Sequence, residues 1–342
     1  MTKIVMIIGA GASQEFGFPT GGDLMGQIGN LCKFDTRYNG IEAGDRAFFG
    51  LLKKASEKFD VRFDEVLAGA RLISQNMHLA PSIDNFLHTH SESEELVIAG
   101  KLAIFTCLRR AEEGSSLFEE EATLGRPRVP EFATRTWLVE LFKILASGRT
   151  SEQFLKDLSE IRFISFNYDR CIERFFTAAY ESYFNNPGAA ADLADNLNIL
   201  HPYGVLEQYD FANINGDRRM YSGGFPVVAL DAVDNIRTFT EGSEKINRGR
   251  LETQITDSSV VMFLGFGFHA LNNRLLPGKK VSGEVLATSY GLSQSNKSEI
   301  EHELIANIYG GDPRYKKNIQ FSDCKCSELI SRYSRLLERI LN

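Results

Sequence analysis

The chain has 342 residues, 43% hydrophobic and 24% charged, with a formal net charge of −7. That length buries a sizeable core without disulfides or metals, and the composition is ordinary for a globular protein, which sets disorder aside. The acidic balance argues against a broad electrostatic surface for nucleic acid, and no direct nucleic-acid binding is expected.

At the start of the chain, Lys3 followed by IVMIIGAGAS imitates a secretory leader. One lysine and so short an apolar run fit a buried first strand feeding a glycine turn better. Further short β-branched runs occur at Arg162–Phe166, Asn198–Leu200, Val227–Leu230, Val260–Leu264, Glu284–Ser289 and Asn318–Phe321. Several of these, like Ile4–Ile8, are almost uniformly apolar, as parallel strands covered on both faces are. Helical patterns fall between most of them. The expected fold class is therefore α/β, a Rossmann-like doubly wound parallel sheet.

From about residue 40 to 159, between the first two strands, the pattern reads as helices. One domain over 1–342 is expected, with a core at about 1–39 and 160–342 and a mostly helical insertion at about 40–159. Within the insertion, Ser91 and Glu94 form a candidate capping box ahead of the apolar-periodic run Leu96–Leu108. A second helix is predicted over Phe132–Ala146, ending before Gly148, and the acidic, Gly- and Pro-containing stretch Glu112–Pro130 reads as a loop. Later, Arg170–Tyr183 reads as a helix with Phe175, Phe176 and Tyr180 in the core, and the tail from Ser327 reads as a closing amphipathic helix. No run approaches the ~20 apolar residues of a membrane span, so a soluble, cytoplasmic protein without membrane contacts is expected.

Cys32, Cys107, Cys171, Cys324 and Cys326 are odd in number and mostly sit in apolar or helical stretches, as reduced cytosolic thiols do. Cys324 and Cys326 make a single C-x-C, and structural zinc normally takes two such pairs, so no metal site is expected. His88 and His90 are two apart, do not share a helix face, and have no cysteine nearby, which favours surface or packing roles. His269 reads as the start of a helix.

In IIGAGAS, Gly9, Gly11 and Ser13 follow a strand directly. Glycines at that point let the backbone approach a pyrophosphate and offer it N–H donors. A tight strand-to-helix turn without a ligand would use the same residues. The dehydrogenase fingerprint needs a third glycine where Gln14 stands, and no second strand ends in an acid about twenty residues on, so hydride transfer is disfavoured.

Four segments together carry a resemblance. GAGAS, then FGFPTG at Phe16–Gly21, resembles the nucleotide-binding opening of sirtuins. SFNYD at Ser165–Asp169 is similar to their Asn-x-Asp motif, HPYG at His201–Gly204 to their catalytic His–Gly motif, and LGFGF at Leu264–Phe268 to their late glycine turn. The segments occur in the family's order, span nearly the whole chain, and each follows a predicted strand. SIDNFL (Ser82–Leu87) and LATSYGLS (Leu286–Ser293) resemble stretches of the branch found in bacterial anti-phage defence, and the paired cysteines of deacylase zinc modules are absent.

The resemblance implies an NAD glycohydrolase that takes NAD as substrate, yields nicotinamide and ADP-ribose, and depletes NAD during infection. It implies a homo-oligomer, with an ATPase, translocase or Argonaute-like protein as a partner. An NAD-dependent protein deacylase, or a silent nucleotide-sensing or assembly subunit, stands as the alternative. By resemblance, Asn167 positions the nucleophile and His201 acts as base. Gly9, Ala10, Gly11, Ala12 and Ser13 line the phosphates, and Gly265 and Gly267 lie near the adenosine. Asp169 either binds the nicotinamide amide, pins the loop, or caps the following helix, and Asp84 either faces the ribose or helps Ser82 cap a helix. An unrestrained enzyme of this kind would kill its host, so low activity is expected until a partner, ligand or oligomer change opens the site. The helical insertion, with its loop at Glu112–Pro130, is the expected gate.

Overall fold

The computed structural model describes residues 3–37, 40–118, 129, 135–186, 190–211, 225–237, 248–256, 258–276, 281 and 283–342. Its strands are β1 (Ile4–Ile8), β2 (Asp35–Arg37), β3 (Gly40–Ala43), β4 (Ile161–Ser165), β5 (Asn198–Leu200), β6 (Val260–Leu264), β7 (Glu284–Thr288) and β8 (Ile319–Ser322). Six of them form one sheet in the order β5-β4-β1-β6-β7-β8, and every pairing in it is parallel. β2 and β3 form a separate antiparallel ribbon, which hydrophobic periodicity did not announce because its residues are mostly polar.

β1 lies at the centre, with Ile4 opposite both Ile161 and Val260. All five residues of β1 and of β6 are buried, as their unbroken apolar runs require of strands covered on both faces. The chain builds outward on one side of β1 through β4 and β5, then returns to build the other side through β6, β7 and β8. That reversal leaves a crevice at the C-terminal ends of β1 and β6, where doubly wound sheets bind ligands.

The helices before β4 are α1 (Ala10–Ser13), α2 (Gly21–Leu31), α3 (Arg46–Lys58), α4 (Phe63–Asn76), α5 (Ile83–Thr89), α6 (Glu94–Gly114), α7 (Trp137–Ala146) and α8 (Ser151–Ser159). Those after it are α9 (Cys171–Tyr183), α10 (Ala190–Asn196), α11 (Phe225–Asn235), α12 (Arg248–Ile255), α13 (Ala270–Leu275), α14 (Gln294–Ile308), α15 (Cys326–Arg332) and α16 (Ser334–Leu341). The expected closing helix is thus two, broken at Tyr333. Phe154, Phe163, Phe175, Phe176 and Tyr180 pack their rings together between the sheet and α8 and α9, with Phe175 and Phe176 5.6 Å apart. All five cysteines are buried free thiols.

Four local expectations differ from the structure. Val227–Leu230 lies inside α11, not in a strand. Pro226 suits the first turn of a helix, and Ala229, Ala232, Val233 and Ile236 are buried at helical spacing, which outweighs the β-branched pair Val227 and Val228. The N-cap of α6 is Ser93, whose hydroxyl accepts from the Leu96 N–H, while Ser91 donates its N–H to His88 O. Of the helix predicted from Phe132, residues 132–134 lie outside the described residues, and the described helix starts at Trp137.

The difference at Glu112 has energetic weight. Glu112, expected in a loop, closes the last turn of α6 and is fully buried. It accepts from Arg109 one turn earlier and from Arg170 ahead of α9, at 3.2 Å from Nε and 3.1 Å from the guanidinium nitrogen Nη2. Residues 119–128 and 130 of the predicted loop lie outside the described residues. Removing one partner of a buried ion pair strands the rest of it in low dielectric. Glu112→Ala is therefore expected to destabilise the fold by about 3–5 kcal/mol, read from urea unfolding, while Glu113→Ala in the same turn changes it little. Equal midpoints for the two variants would refute the assignment.

Candidate functional site

The two glycine turns meet across the crevice. Gly9 donates its N–H to Leu264 O and Gly11 donates to Gly265 O, each at 3.0 Å, and Ala12 donates to Gly9 O at 2.9 Å. A Cβ on Gly9 would lie 2.6 Å from Gly265 O, so these residues are glycine because one turn's backbone rests on the other's. Gly265 itself has φ +58°, and its N–H donates to Thr288 Oγ1 at 2.9 Å. Three of the N–H groups expected to hold phosphates are therefore used within the protein. Trp137 locks the turn from beneath, its indole N–H donating to Ala12 O at 3.1 Å.

A cavity of about 750 Å³ opens above these turns. It runs along the sheet's C-terminal edge from Asn167 after β4 to Lys325 after β8, five neighbouring strands in all. Four strand spacings span roughly 19 Å, the reach of an extended dinucleotide. Gly9, Ala10, Gly11, Asp84, Asn167, Asp169, Gly265 and Gly267 all line it. Ala12 and Ser13, expected beside them, lie beneath the wall and are buried.

Asn167 sits two residues past β4. Its Nδ2 donates to Gly9 O at 3.0 Å and to Ser13 Oγ at 2.9 Å. Both amide hydrogens are thereby committed, and the carbonyl Oδ1 is left as the acceptor. Asp169 accepts from the Cys171 N–H at 3.1 Å and interacts with Ser13, so it steadies the start of α9 and also faces the cavity. Burial raises its pKa against those hydrogen bonds. Ser82 caps α5 through the Asn85 N–H, which frees Asp84 to accept from the Tyr168 hydroxyl; burial raises the Asp84 pKa as well.

His201 stands next to Asn167 yet does not line the cavity. Its Nδ1 is 3.0 Å from the Asn167 carbonyl oxygen and its Nε2 is 3.2 Å from Glu173 Oε1. Burial opposes charge on this ring, but the Glu173 carboxylate and the Asn167 carbonyl outweigh it and hold the pKa above its ordinary value. Asn167 and His201 are thus joined through backbone, with their side chains facing different surroundings.

His269 begins α13 as expected and also lines the cavity, with its ring against Gly267. His90 packs on Phe86 at 4.6 Å between ring centroids. Sequence reasoning missed four residues. Glu15 accepts from the Trp137 and Ser327 N–H groups and so ties α7 and α15 to the cavity rim. Tyr168 holds Asp84, and Glu173 holds His201. Ser289, buried in the cavity wall, has a hydroxyl without a hydrogen-bond partner among the described residues. Only Glu173 left a trace in the sequence, one helical turn beyond Asp169.

Among the described residues no cluster of three or more His, Cys, Asp or Glu side chains fits a metal ion, and no helix is long and apolar enough to cross a membrane. Fold and site together define a doubly wound α/β protein with a ligand-sized cavity at its topological switch point. No protein-family model matches the sequence, and neither does any curated protein.

Proposed function

We propose that the protein binds NAD along the C-terminal edge of its sheet and hydrolyses the nicotinamide–ribose bond, releasing nicotinamide and ADP-ribose. The observation that carries this reading is Asn167, an uncharged amide pinned by both its hydrogens at one end of a cavity that passes five neighbouring strand ends. Nicotinamide in NAD is already a cationic leaving group, so its departure needs no general acid. What the reaction does need is support for an oxocarbenium-like ribosyl centre and an oriented water. The Asn167 side-chain oxygen Oδ1 can orient a water or a ribose hydroxyl without adding a titrating charge. Asp84 and Asp169 border the same space and, when ionised, supply the negative potential that such a cation favours. The resemblance of the glycine turns, SFNYD and HPYG to sirtuin motifs supports the same chemistry.

The wider biology follows that resemblance: a cytoplasmic, homo-oligomeric defence protein, gated by the helices between β1 and β4 and released by a partner such as an ATPase. The test is nicotinamide release from NAD by the purified protein, with and without an acyl-lysine peptide and with neighbouring gene products. Release independent of peptide is expected, rising when the cognate partner is added. Release only with peptide identifies a deacylase instead.

His201 favours a second reading, a nucleotide-binding module without turnover, since both of its ring nitrogens are engaged away from the cavity. Calorimetric NAD binding without nicotinamide release under every activating condition selects that reading.

A further inference from the structure

We propose that Glu173 is a positioning residue: it holds the Nε2 N–H of His201, whose Nδ1 N–H holds the Asn167 backbone carbonyl, and so clamps the turn that carries Asn167 against the cavity floor. The Asn167 carbonyl can only accept, so Nδ1 of His201 must donate to it. An ionised Glu173 can only accept, so Nε2 must donate as well. A ring that donates from both nitrogens is an imidazolium. His201 here is a cationic strut between two acceptors, with its own side chain 11% exposed.

Three groups bear on that charge. Glu173 faces it from the first turn of α9, Asp169 from the loop ahead of α9, and the Asn167 carbonyl from the turn after β4. Glu173 Oε2 is buried with no hydrogen-bond partner among the described residues, so the His201 bond is the one hydrogen bond that its carboxylate makes there. On the other side of the turn, the Asn167 amide reaches Gly9 O and Ser13 Oγ. The turn is thus gripped through its backbone by α9 and through its side chain by the glycine turn. If His201 loses its proton, one of its two bonds goes, and the grip on the Asn167 backbone weakens.

The sign of the pH dependence follows. The folded-state pKa of His201 lies above its unfolded value of about 6.5. The clamp's stabilisation is complete below about pH 6.5 and is lost as pH rises through the raised value. Glu173→Gln separates geometry from charge. Its amide NH2 can turn toward a neutral Nε2, keeping the contact without requiring the proton. Glu173→Ala removes the contact altogether.

The consequence for turnover rests on the hydrolase reading; the clamp itself does not. The experiment is a heteronuclear imidazole titration of the ligand-free full-length protein, with the His201 signal assigned by its loss in His201→Gln. Beside it runs the pH profile of nicotinamide release from NAD. In the wild type, His201 is expected to carry both ring protons at pH 7. Glu173→Gln lowers its titration midpoint by roughly 1–3 pH units and removes the alkaline fall in kcat. Glu173→Ala lowers kcat by about 10²-fold while KM moves little, the signature of a displaced catalytic amide. A neutral His201 at pH 7, or a titration midpoint unmoved by Glu173→Gln, overturns the proposal. If the wild type neither binds nor consumes NAD, the hydrolase reading falls, and the titration still decides the clamp.

Discussion

Gly265→Ala is expected to cost about 3 kcal/mol or more in unfolding free energy and to abolish binding of NAD. The added Cβ would stand 2.1 Å from Ala12 N and 2.3 Å from the Gly11 carbonyl carbon, both backbone atoms of the opposite turn. No rotamer change relieves such an overlap, so the two turns must part. The left-handed φ of +58° adds strain that a side chain rarely tolerates. Since Gly9 and Gly11 donate into this pair of turns, separating them also dismantles the wall beneath any phosphate. Gly17→Ala is the matched control, because Gly17 has φ +86° with nothing within 4 Å of its virtual Cβ. It isolates the conformational strain alone, about 1–2 kcal/mol. Equal losses in the two variants, measured by chemical denaturation, would mean that the contact between the turns contributes nothing.

Asn167→Ala is expected to reduce nicotinamide release by about 10²–10³-fold, with the fold retained. The substitution removes a side chain whose two amide hydrogens are both committed, and it takes one donor from Gly9 O and one from Ser13 Oγ. A stability cost of about 1–2 kcal/mol accompanies the loss of the two hydrogen bonds, while Gly9 O keeps the Ala12 N–H and Ser13 keeps its contact with Asp169. Asn167→Asp is a sharper probe than alanine. It keeps the shape but presents a carboxylate oxygen to Gly9 O, which cannot donate, so attraction turns to repulsion at 3.0 Å. The aspartate variant is expected to be at least as inactive as the alanine variant and less stable. An active Asn167→Asp enzyme would show that the amide's hydrogens are irrelevant, and the reading built on them would fall.

Together with the Glu173 variants, these substitutions separate three failures that an activity assay alone would merge. Gly265→Ala destroys the platform, Asn167→Ala removes the group facing the ligand, and Glu173→Ala leaves both in place but loosens their alignment.

The sheet was legible in the sequence. Six of the seven runs taken as strands are strands to within a residue, because a strand covered on both faces must be continuously apolar, and IVMII and VVMFL say so locally. The aromatic core of α9 and the two glycine turns were equally plain, since helical periodicity and strand-to-glycine junctions are short-range signals. Val227–Leu230 misled because four β-branched or apolar residues look alike in a strand or on one side of a helix, and only the burial of Ala229, Ala232, Val233 and Ile236 distinguishes them.

What the sequence by itself determined is the set of elements and the chemical character of the residues at their ends. The tertiary structure alone decided which of those residues meet. Gly9 must be glycine because of Gly265, 256 positions away; Glu112 is buried because Arg170 reaches it; and His201 is a strut because Glu173 faces its second nitrogen. Periodicity is a property of neighbours along the chain. Hydrogen-bond partners and backbone clearances are set by strands brought side by side, and that proximity is written in no local pattern.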